Sequence, residues 1–410
     1  MINNLIAVAS SYTSQLINHA LHNSANDSSY KNYIQYISAD TQKLEQLVKQ
    51  YPSSILFHNP KLLLSTAQYI VDSLRKISNL SQLHKTPIYF DIPCPDKRRA
   101  ISLKWWQYQL NKVSRRDYEM LNYHFEKVSS KKAKYASNLQ VRNYILRQQA
   151  TAKWMNRTFI QNDGITLSLA KCSKSNYAQN SETFTILKGL GNYADSLTGY
   201  DWTFITLTAP LEFHSSPKYG DSKWDGSSAI NSHNYLQKGW HRSQSILYKN
   251  MIHHFGIKVS EPHQDGCSHF HLIVWHKKNE YDAIVDAFSQ QFSPKQIKFR
   301  RNNGMSCASS YIAKYIRKSD DYDPSSPIVR VASWRCCWGI RSFRFFGIDN
   351  QITKWRELRK IEHDTSAIWK AAKAGDFASY LSLLSDSDTT LLKQSSINKY
   401  GERYKKVIGI

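Results

Sequence analysis

The stretch from Ile257 to Trp275, IKVSEPHQDGCSHFHLIVW, decides the predicted fold. Residues alternate in character on both sides of a central Gln-Asp-Gly, which is typical of two strands joined as a β-hairpin. Because successive side chains of a strand point to opposite faces, His269 and His271 share one face, and Glu261 and His263 share one face of the partner strand. The sequence therefore predicts a hairpin on which four potential metal ligands can converge.

The length of the hairpin loop decides whether these side chains meet. A two-residue loop at the Asp-Gly pair would place Glu261 opposite Phe270, whereas a three-residue loop with Gly266 in the left-handed conformation would place it opposite His269. Two imidazoles and a carboxylate with open positions suit a divalent ion that also holds a substrate oxygen. A His-x-His pair alone is also typical of a hydrogen-bonded pair in a polar strand. The carboxylate and His263 shift the balance toward a metal site.

The charge of the chain predicts a polyanionic partner. Its 55 Lys and Arg residues against 32 Asp and Glu give a net charge of +23 over 410 residues. Nucleic acid is the first candidate and an anionic membrane surface the second. No apolar run approaches the roughly 20 residues of a membrane helix, and the N-terminus lacks the features of a signal peptide. The six cysteines, without a Cys-x-x-Cys pair, are typical of reduced thiols, so we expect a cytoplasmic protein.

The length predicts two or three domains, and the order of strands and helices predicts a sheet domain that is either α/β or α+β. We expect a helical N-terminal region at 1–95, a basic and mostly helical region at 96–200, a sheet domain at 201–350 and a helical C-terminal region at 351–410. A helix is predicted to begin at Asn59-Pro60, and the proline-rich stretch 86–95 is predicted to be a linker.

Besides the hairpin, the predicted sheet domain contains three sequence patterns. The sequence WTFITLT at 202–208 is typical of a buried strand, and residues 232–255 are predicted to form a helix that ends at Gly256. The stretch 332–348 interleaves aromatic residues with arginines. It is typical either of a sheet strand with one polar face or of a segment that stacks unpaired bases.

A helix is predicted around residues 309–318. Four of its side chains fall on one face at i, i+3, i+4 and i+7, namely Tyr311, Lys314, Tyr315 and Lys318. Ile312 and Ile316 form a separate apolar ridge that can pack on the sheet. Such a pattern alone is typical of a surface helix with tyrosines beside lysines. Next to a metal-binding hairpin it favours a catalytic cluster.

Three elements, in this order, resemble the phage replication gene A proteins, which belong to the HUH endonuclease superfamily of rolling-circle replication initiators. They are FITLT at 204–208, EPHQDGCSHFH at 261–271 and YIAKYIRK at 311–318. The resemblance covers roughly residues 100–410, and residues 1–90 do not match. Cys267 and Ser268 stand where a Thr and a Pro are expected, which concerns the hairpin tip more than the ligands. The resemblance implies an α+β fold, in which residues 201–350 form an RRM-like domain with a central antiparallel sheet.

The resemblance also implies a function. His269 and His271 would bind Mg²⁺ or Mn²⁺, and Tyr311 or Tyr315 would attack the scissile phosphate of origin DNA. The products would be a 5′-phosphotyrosyl link and a free 3′-OH, followed by strand rejoining. We expect Lys314 to stabilise developing charge. We expect Glu261 to be the third metal ligand, because a carboxylate suits hard Mg²⁺ better than another imidazole, with His263 and Lys318 as further candidate contacts to metal or phosphate.

The expected partners are single-stranded and supercoiled origin DNA in the cytoplasm of a bacterial host. The chain contains no G-x-x-x-x-G-K-[ST] phosphate loop, so a host helicase and a host DNA polymerase are expected to act with it. A two-tyrosine HUH rolling-circle transposase would have the same order of motifs and is the first alternative. A non-catalytic DNA-binding protein would account for the charge but not for the Glu/His/His and Tyr/Lys clusters.

Overall fold

The computed structural model describes residues 11–16, 18, 41–57, 59–77, 83, 85–162, 164–304, 307–316, 321–348, 350–384 and 390–410. Contacts divide the chain into two compact units. The first comprises Met1–Val128 with Ser396–Tyr404, and the second comprises Ser129–Ser395 with Lys405–Ile410. The finer predicted division into four regions stays a prediction.

The first unit is built mainly from helices. Its elements are α1 (Thr41–Gln50), a 3₁₀ turn (Pro52–Leu56), α2 (Pro60–Arg75), β1 (Pro87–Tyr89), β2 (Ile92–Pro93), α3 (Lys97–Ala100) and α4 (Leu103–His124). Helix α2 begins where the sequence predicts, because the Asn59 side chain accepts a 2.9 Å hydrogen bond from the Leu62 N–H and Pro60 occupies the first helical position. Its buried stripe includes Leu63, Ala67, Ile70 and Leu74.

The predicted linker at 86–95 is wrong, because this stretch contains the short hairpin of β1 and β2. Phe90 and Asp91 connect the strands with φ values of 49° and 54°. Two successive residues with positive φ are typical of a type I′ hairpin turn, which sequence normally signals by Asn or Gly. Tyr89 beside the turn is fully buried, with its ring centroid 6.3 Å from that of Trp106. Asp91 is a residue type that adopts this conformation, whereas Phe90 is not, and burial of the neighbouring Tyr89 stabilises the turn.

The second unit contains a five-stranded sheet and its covering helices. Its elements before the sheet are α5 (Asn138–Arg157), β3 (Phe159–Asn162), β4 (Ile165–Ser168), α6 (Leu169–Cys172) and α7 (Asn176–Ser196). Through the sheet they are β5 (Tyr200–Thr208), α8 (Ala229–Lys249), β6 (Phe255–Pro262), β7 (Ser268–Lys277), α9 (Tyr281–Ser289), β8 (Ile297–Arg301), α10 (Ala308–Ile316), α11 (Pro327–Trp338) and β9 (Phe343–Phe346). Helices α12 (Gln351–Leu358), α13 (Ala367–Ala374) and α14 (Phe377–Leu384) follow.

The strands of this sheet lie in the order β8-β5-β7-β6-β9, and every neighbouring pair is antiparallel. One face packs Phe204, Ile273 and Trp275 against α7, α10 and the helices α12 to α14. The other face packs Leu272 and Val274 against α8 and α9. The prediction of an α+β chain with a central antiparallel sheet is therefore confirmed, and the RRM-like topology stays a prediction.

The predicted helix at 232–255 is wrong in its C-terminal part. Helix α8 ends at Lys249, and Phe255 and Gly256 belong to strand β6. The glycine is needed inside the strand, because a Cβ at Gly256 would lie 2.0 Å from the Ile273 carbonyl oxygen and 2.7 Å from the Phe346 ring. Close approach of two neighbours, rather than a helix end, explains this residue.

The strand alternative for 332–348 is wrong for most of the stretch. Residues up to Trp338 belong to helix α11, and the helix is capped by Gly339, which has a left-handed φ of 70°. Only Phe343–Phe346 forms a strand, at the sheet edge beside β6. Trp334 and Trp338 are both buried in the fold, so these aromatic residues pack in the interior instead of stacking on bases.

The predicted helical C-terminal region is helical only up to Leu384 among the residues that are described. The last segment forms a hairpin of β10 (Leu392–Ile397) and β11 (Arg403–Gly409). A hydrogen bond of 3.0 Å from the Asn398 N–H to the Glu402 carbonyl oxygen closes its turn, with Gly401 at a φ of 78°. The Asn and Gly of this turn are the residue types that favour such a reversal.

A lysine is buried in β6 on the face of the sheet that α8 covers. The Lys258 side chain bonds to that of Gln237, and its Nζ lies 4.1 Å from the centroid of the Phe270 ring. Burial, with a smaller contribution from the charge of Arg344, lowers the pKa of Lys258 to about 7. An unfolded lysine stays protonated up to about pH 10. Between about pH 7 and pH 10 the folded chain therefore binds fewer protons than the unfolded chain. Burial of the lysine lowers the free energy of unfolding by its full amount below pH 7, and by less as the pH rises through this range.

We expect Lys258→Met to raise the free energy of unfolding by about 2 kcal/mol at pH 6.5, because it replaces a buried cation with an apolar chain of similar length. The gain should shrink at pH 9, where the wild-type lysine is neutral in the fold. Urea denaturation at both pH values measures it, with the exposed Lys298→Met on β8 as the control. An equal gain at the two pH values would contradict the assigned pKa.

Candidate functional site

The register of the β6–β7 hairpin brings Glu261 directly opposite His269. The His263 N–H donates to the Cys267 carbonyl oxygen at 2.6 Å, which leaves a three-residue loop, and Gly266 has a left-handed φ of 86°. Of the two loop lengths that the sequence allows, the structure therefore has the three-residue loop, which a metal site with Glu261 requires. A loop one residue shorter would have turned the glutamate to the opposite face of the sheet.

Glu261, His269 and His271 form a compact group of potential metal ligands. One ligand atom from each residue lies within 4.8 Å of the others. The two Nε2 atoms are 2.8 Å apart, and the Nε2 of His271 is 3.9 Å from Oε2 of Glu261. Two imidazole nitrogens and a carboxylate oxygen on one sheet face fit a divalent ion such as Mg²⁺ or Mn²⁺ with positions left for substrate oxygens.

The surroundings of the imidazoles suit them for binding a cation. The Nδ1 of His271 lies 3.3 Å from the Thr206 hydroxyl, and its ring stacks on Phe204 with centroids 5.5 Å apart. Contacts of this kind fix the orientation of a metal-binding imidazole. Burial, then the neighbouring His263 and His271, lower the pKa of His269 well below its usual range. Its ring is therefore neutral at pH 7, and a neutral imidazole has the lone pair that a metal needs.

His263 lies beside the three-residue group. Its ring centroid is 4.3 Å from that of His269 and 5.1 Å from that of His214. Burial and the neighbouring His214 lower its pKa to about 4. The structure thus groups Glu261 rather than His263 with the His-x-His pair, and the role of His263 in binding metal or phosphate stays a prediction.

Three contacts from distant parts of the chain hold the hairpin tip. The Nδ1 of His214 lies 2.9 Å from Oδ2 of Asp265, the indole N–H of Trp334 donates to the Gly266 carbonyl oxygen at 2.9 Å, and the Tyr135 N–H donates to the Gln264 carbonyl oxygen at 3.0 Å. Tyr135 itself has a φ of 72°, which is unusual for a bulky residue. None of these contacts can be predicted from the sequence, because their partners are 51 to about 130 residues apart.

Arg335 of α11 supports the glutamate from the side. Its Nη2 and Nε donate to the Ser260 carbonyl oxygen at 2.8 and 3.1 Å, and Nη2 lies 3.9 Å from Oε1 of Glu261. Burial lowers the pKa of Arg335 to about 10, so the guanidinium remains charged at pH 7. The sequence points to the arginines of this stretch but not to this contact.

The three potential ligands line a cavity of about 850 Å³. Its walls also include Tyr135, Arg335, His214 and the loop residues Lys218 and Tyr219. A space of this size beside a group of potential metal ligands can admit a substrate rather than only an ion.

Helix α10 contains the predicted tyrosine cluster. Its Ile312 and Ile316 are buried in the same core as Val259 and Ile273, on the sheet face that contains the imidazoles. Tyr311, Lys314 and Tyr315 lie in this helix, and their side chains are outside the described part of the structure, as is the whole of Lys318. The structure thus brings the tyrosine helix to the same face of the sheet as Glu261, His269 and His271, which are called the metal group below because they are potential metal ligands. The roles of the four residues of the tyrosine cluster stay predictions.

We expect Asp265→Ala to lower the free energy of unfolding by about 2 kcal/mol, the range for hydrogen bonds to a charged group. The variant removes the partner of His214 and also the acceptor of the Cys267 N–H, which lies 3.1 Å from Oδ1. Urea denaturation measures the change. The exposed Asp221→Ala in the loop after β5 is the control and should change it by less than about 0.5 kcal/mol. Equal values for the two variants would show that the buried pair does not hold the tip.

The family model described as bacteriophage replication gene A protein matches residues 83–323, more than half of the 410 residues. The chain therefore belongs to the bacteriophage replication gene A protein family.

Curated relatives include a replication protein of Haemophilus phage HP1, 29% identical over 75% of this chain and 45% of that protein. The replication gene A protein of Escherichia phage 186 is 28% identical over 72% of this chain and 49% of its own length. A probable replication endonuclease from a prophage-like region of Salmonella typhimurium is 25% identical over 71% and 40%. The chain spans about half the length of these relatives.

No solved structure matches the chain. In the part of the chain that the structure describes, no helix is both long enough and apolar enough to cross a membrane.

Proposed function

We propose that this chain initiates rolling-circle DNA replication by nicking one strand of origin DNA at a specific site in a metal-dependent reaction. The observation that carries the proposal is the group of Glu261, His269 and His271 on the sheet face against which the tyrosine-bearing helix α10 packs. The family membership and the relative named as a probable replication endonuclease support it. We also propose that the sheet domain is of the RRM-like HUH type.

Glu261, His269 and His271 would hold Mg²⁺ or Mn²⁺. When bound, such an ion would withdraw charge from the scissile phosphate. The cavity walls would position the phosphodiester, with the Arg335 guanidinium beside the glutamate. A phosphoryl group held in this way reacts mainly through positioning and charge stabilisation.

The nucleophile would come from α10. A phenol with a pKa near 10 is only about 0.1% ionised at pH 7, so a nearby cation is needed to stabilise the phenolate. Lys314 lies within one turn of both Tyr311 and Tyr315 and would supply that charge. The phenolic oxygen forms a bond to phosphorus, the bond to the 3′ oxygen breaks, and this oxygen takes up a proton to become a free 3′-OH.

The 3′-OH would then serve a host DNA polymerase as a primer, while a host helicase separates the strands. In the closing step a 3′-OH attacks the phosphotyrosyl phosphorus, reforms the phosphodiester and releases the tyrosine. Two tyrosines one helical turn apart would allow one to hold a 5′ end while the other cleaves the regenerated origin.

The proposal is tested with a set of supercoiled plasmids whose inserts together cover the replicon that encodes this chain. With Mg²⁺, the purified protein should convert one plasmid to the open circle, with a break in one strand at one position. Addition of EDTA should prevent the conversion. Nicking of none of the plasmids, or random cleavage of all of them, would overturn the proposed function.

A further inference from the structure

The loop that follows β5 places an exposed aromatic residue and a cation at the cavity. Tyr219 is 78% exposed and Lys218 is exposed, and both line the cavity that contains Glu261 and His269. The Nζ of Lys218 lies 5.0 Å from the centroid of the Tyr219 ring. Single exposed aromatic residues are common on protein surfaces, so the informative feature of Tyr219 is its position on the wall of this cavity beside Lys218.

The base of this loop is fixed to the hairpin tip. The buried His214 pairs with Asp265, and the Ser215 hydroxyl donates to the Asp265 carbonyl oxygen at 3.4 Å. The Ser222 hydroxyl, on the far side of the bend, lies 3.3 Å from the His214 carbonyl oxygen. Tyr219 therefore lies in a loop whose two ends are held by hydrogen bonds, and these contacts fix its position beside the metal group.

An exposed ring with a neighbouring cation is the combination by which proteins bind single-stranded nucleic acid. The ring stacks on a base and the cation contacts the backbone phosphate. We propose that Lys218 and Tyr219 form a subsite for one nucleotide that flanks the scissile phosphate, with Tyr219 stacked on its base. This inference rests on the proposed function, because it assigns a part of the same DNA substrate.

The stacking test removes one base at a time from the DNA. Oligonucleotides that contain the cleavage site, each with a single abasic position near it, are titrated with protein in EDTA, so that affinity is measured without cleavage. For the wild type, one abasic position should weaken binding about tenfold. Tyr219→Ala should bind intact DNA with an affinity lower by the same factor. Its affinity should not fall further on DNA that lacks this base, because both changes remove the same contact. Tyr219→Phe should keep wild-type behaviour.

A matched control comes from the opposite face of the sheet. Tyr248 of α8 is 58% exposed, and α8 packs on the face that does not contain the metal group. Tyr248→Ala should retain both the affinity and the sensitivity to the abasic position. A tenfold loss that appears equally in Tyr248→Ala would overturn the subsite, and so would wild-type behaviour of Tyr219→Ala.

The proposed phosphate contact of Lys218 is tested by the salt dependence of DNA affinity. Each phosphate contact to a single strand contributes about 0.7 to the slope of log affinity against log salt concentration. Lys218→Ala should lower the slope by about this amount, whereas the exposed Lys249→Ala on α8 should leave it unchanged. An unchanged slope for Lys218→Ala would remove the phosphate contact from the proposal.

The experiments distinguish an error in the subsite from an error in the proposed function. If the wild type nicks DNA but Tyr219→Ala binds as tightly as the wild type, the function stands and the subsite is wrong. If no DNA is nicked, binding to oligothymidylate decides the subsite alone. A roughly tenfold weaker affinity of Tyr219→Ala then supports stacking, and an equal affinity overturns it.

Discussion

His269→Ala and His271→Ala are each expected to lower the rate of origin nicking by about 1,000-fold or more. A bound metal ion contributes several kcal/mol to stabilising charge on a phosphate, and each ~1.4 kcal/mol is a factor of ten in rate. The two Nε2 atoms are 2.8 Å apart, so loss of either leaves only one imidazole beside Glu261. The measurement is a single-turnover time course on an end-labelled origin oligonucleotide with saturating protein and Mg²⁺.

DNA binding by the same variants should change little, because it rests on many phosphate contacts made by a chain with a net charge of +23. The control is His253→Ala, an exposed histidine whose Nδ1 lies 2.7 Å from the Tyr200 hydroxyl and which does not line the cavity. This control should nick at the wild-type rate. A wild-type rate in either His269→Ala or His271→Ala would remove the metal group from the proposed chemistry.

The second large effect is expected from the tyrosines of α10. Tyr311→Phe and Tyr315→Phe should each still cleave once, since the remaining hydroxyl is one helical turn away, but should fail to process a second origin after one replication round. The double variant should lose cleavage altogether, because phenylalanine retains the ring but has no nucleophile. Cleavage assays on oligonucleotides with one and with two copies of the origin measure the two steps.

A different result for the two single tyrosine variants would contradict the alternating scheme. If one single variant abolishes all cleavage and the other leaves both steps intact, only one tyrosine is a nucleophile and the alternating scheme fails. Tyr281→Phe is the control, because this tyrosine lies on α9 and its ring contacts the guanidinium of Arg301 at 4.1 Å from the ring centroid.

The parts of the fold that follow from local rules are predictable from sequence. Strand alternation places His269 and His271 on one face, and Gly266 with its positive φ sets the loop length that turns Glu261 toward them. The start of α2 follows from Asn59 and Pro60 in the same way. In each case the decisive contact is made between residues close in sequence.

The parts that the sequence does not predict depend on contacts between distant residues. The His214–Asp265 pair and the bond from Trp334 to Gly266 join the hairpin to segments 51 and 68 residues away. Gly256 resembles a helix end locally, but its real constraint is the Ile273 carbonyl oxygen on the neighbouring strand. The arginine and tryptophan pattern of 332–338 is compatible with a strand by composition, and burial of Trp334 and Trp338 in a helix decides otherwise.

The proposed function requires that a tyrosine of α10 becomes covalently linked to DNA in a metal-dependent reaction. The most direct measurement is mass spectrometry of peptides from the wild-type protein after reaction with a single-stranded origin oligonucleotide and Mg²⁺, combined with polymerase extension of the released fragment. We expect a nucleotide adduct on Tyr311 or Tyr315, attached through a 5′ phosphate, and a released fragment with an extendable 3′-OH. Cleaved DNA without any adduct, with a free 5′ phosphate at the break, would contradict it.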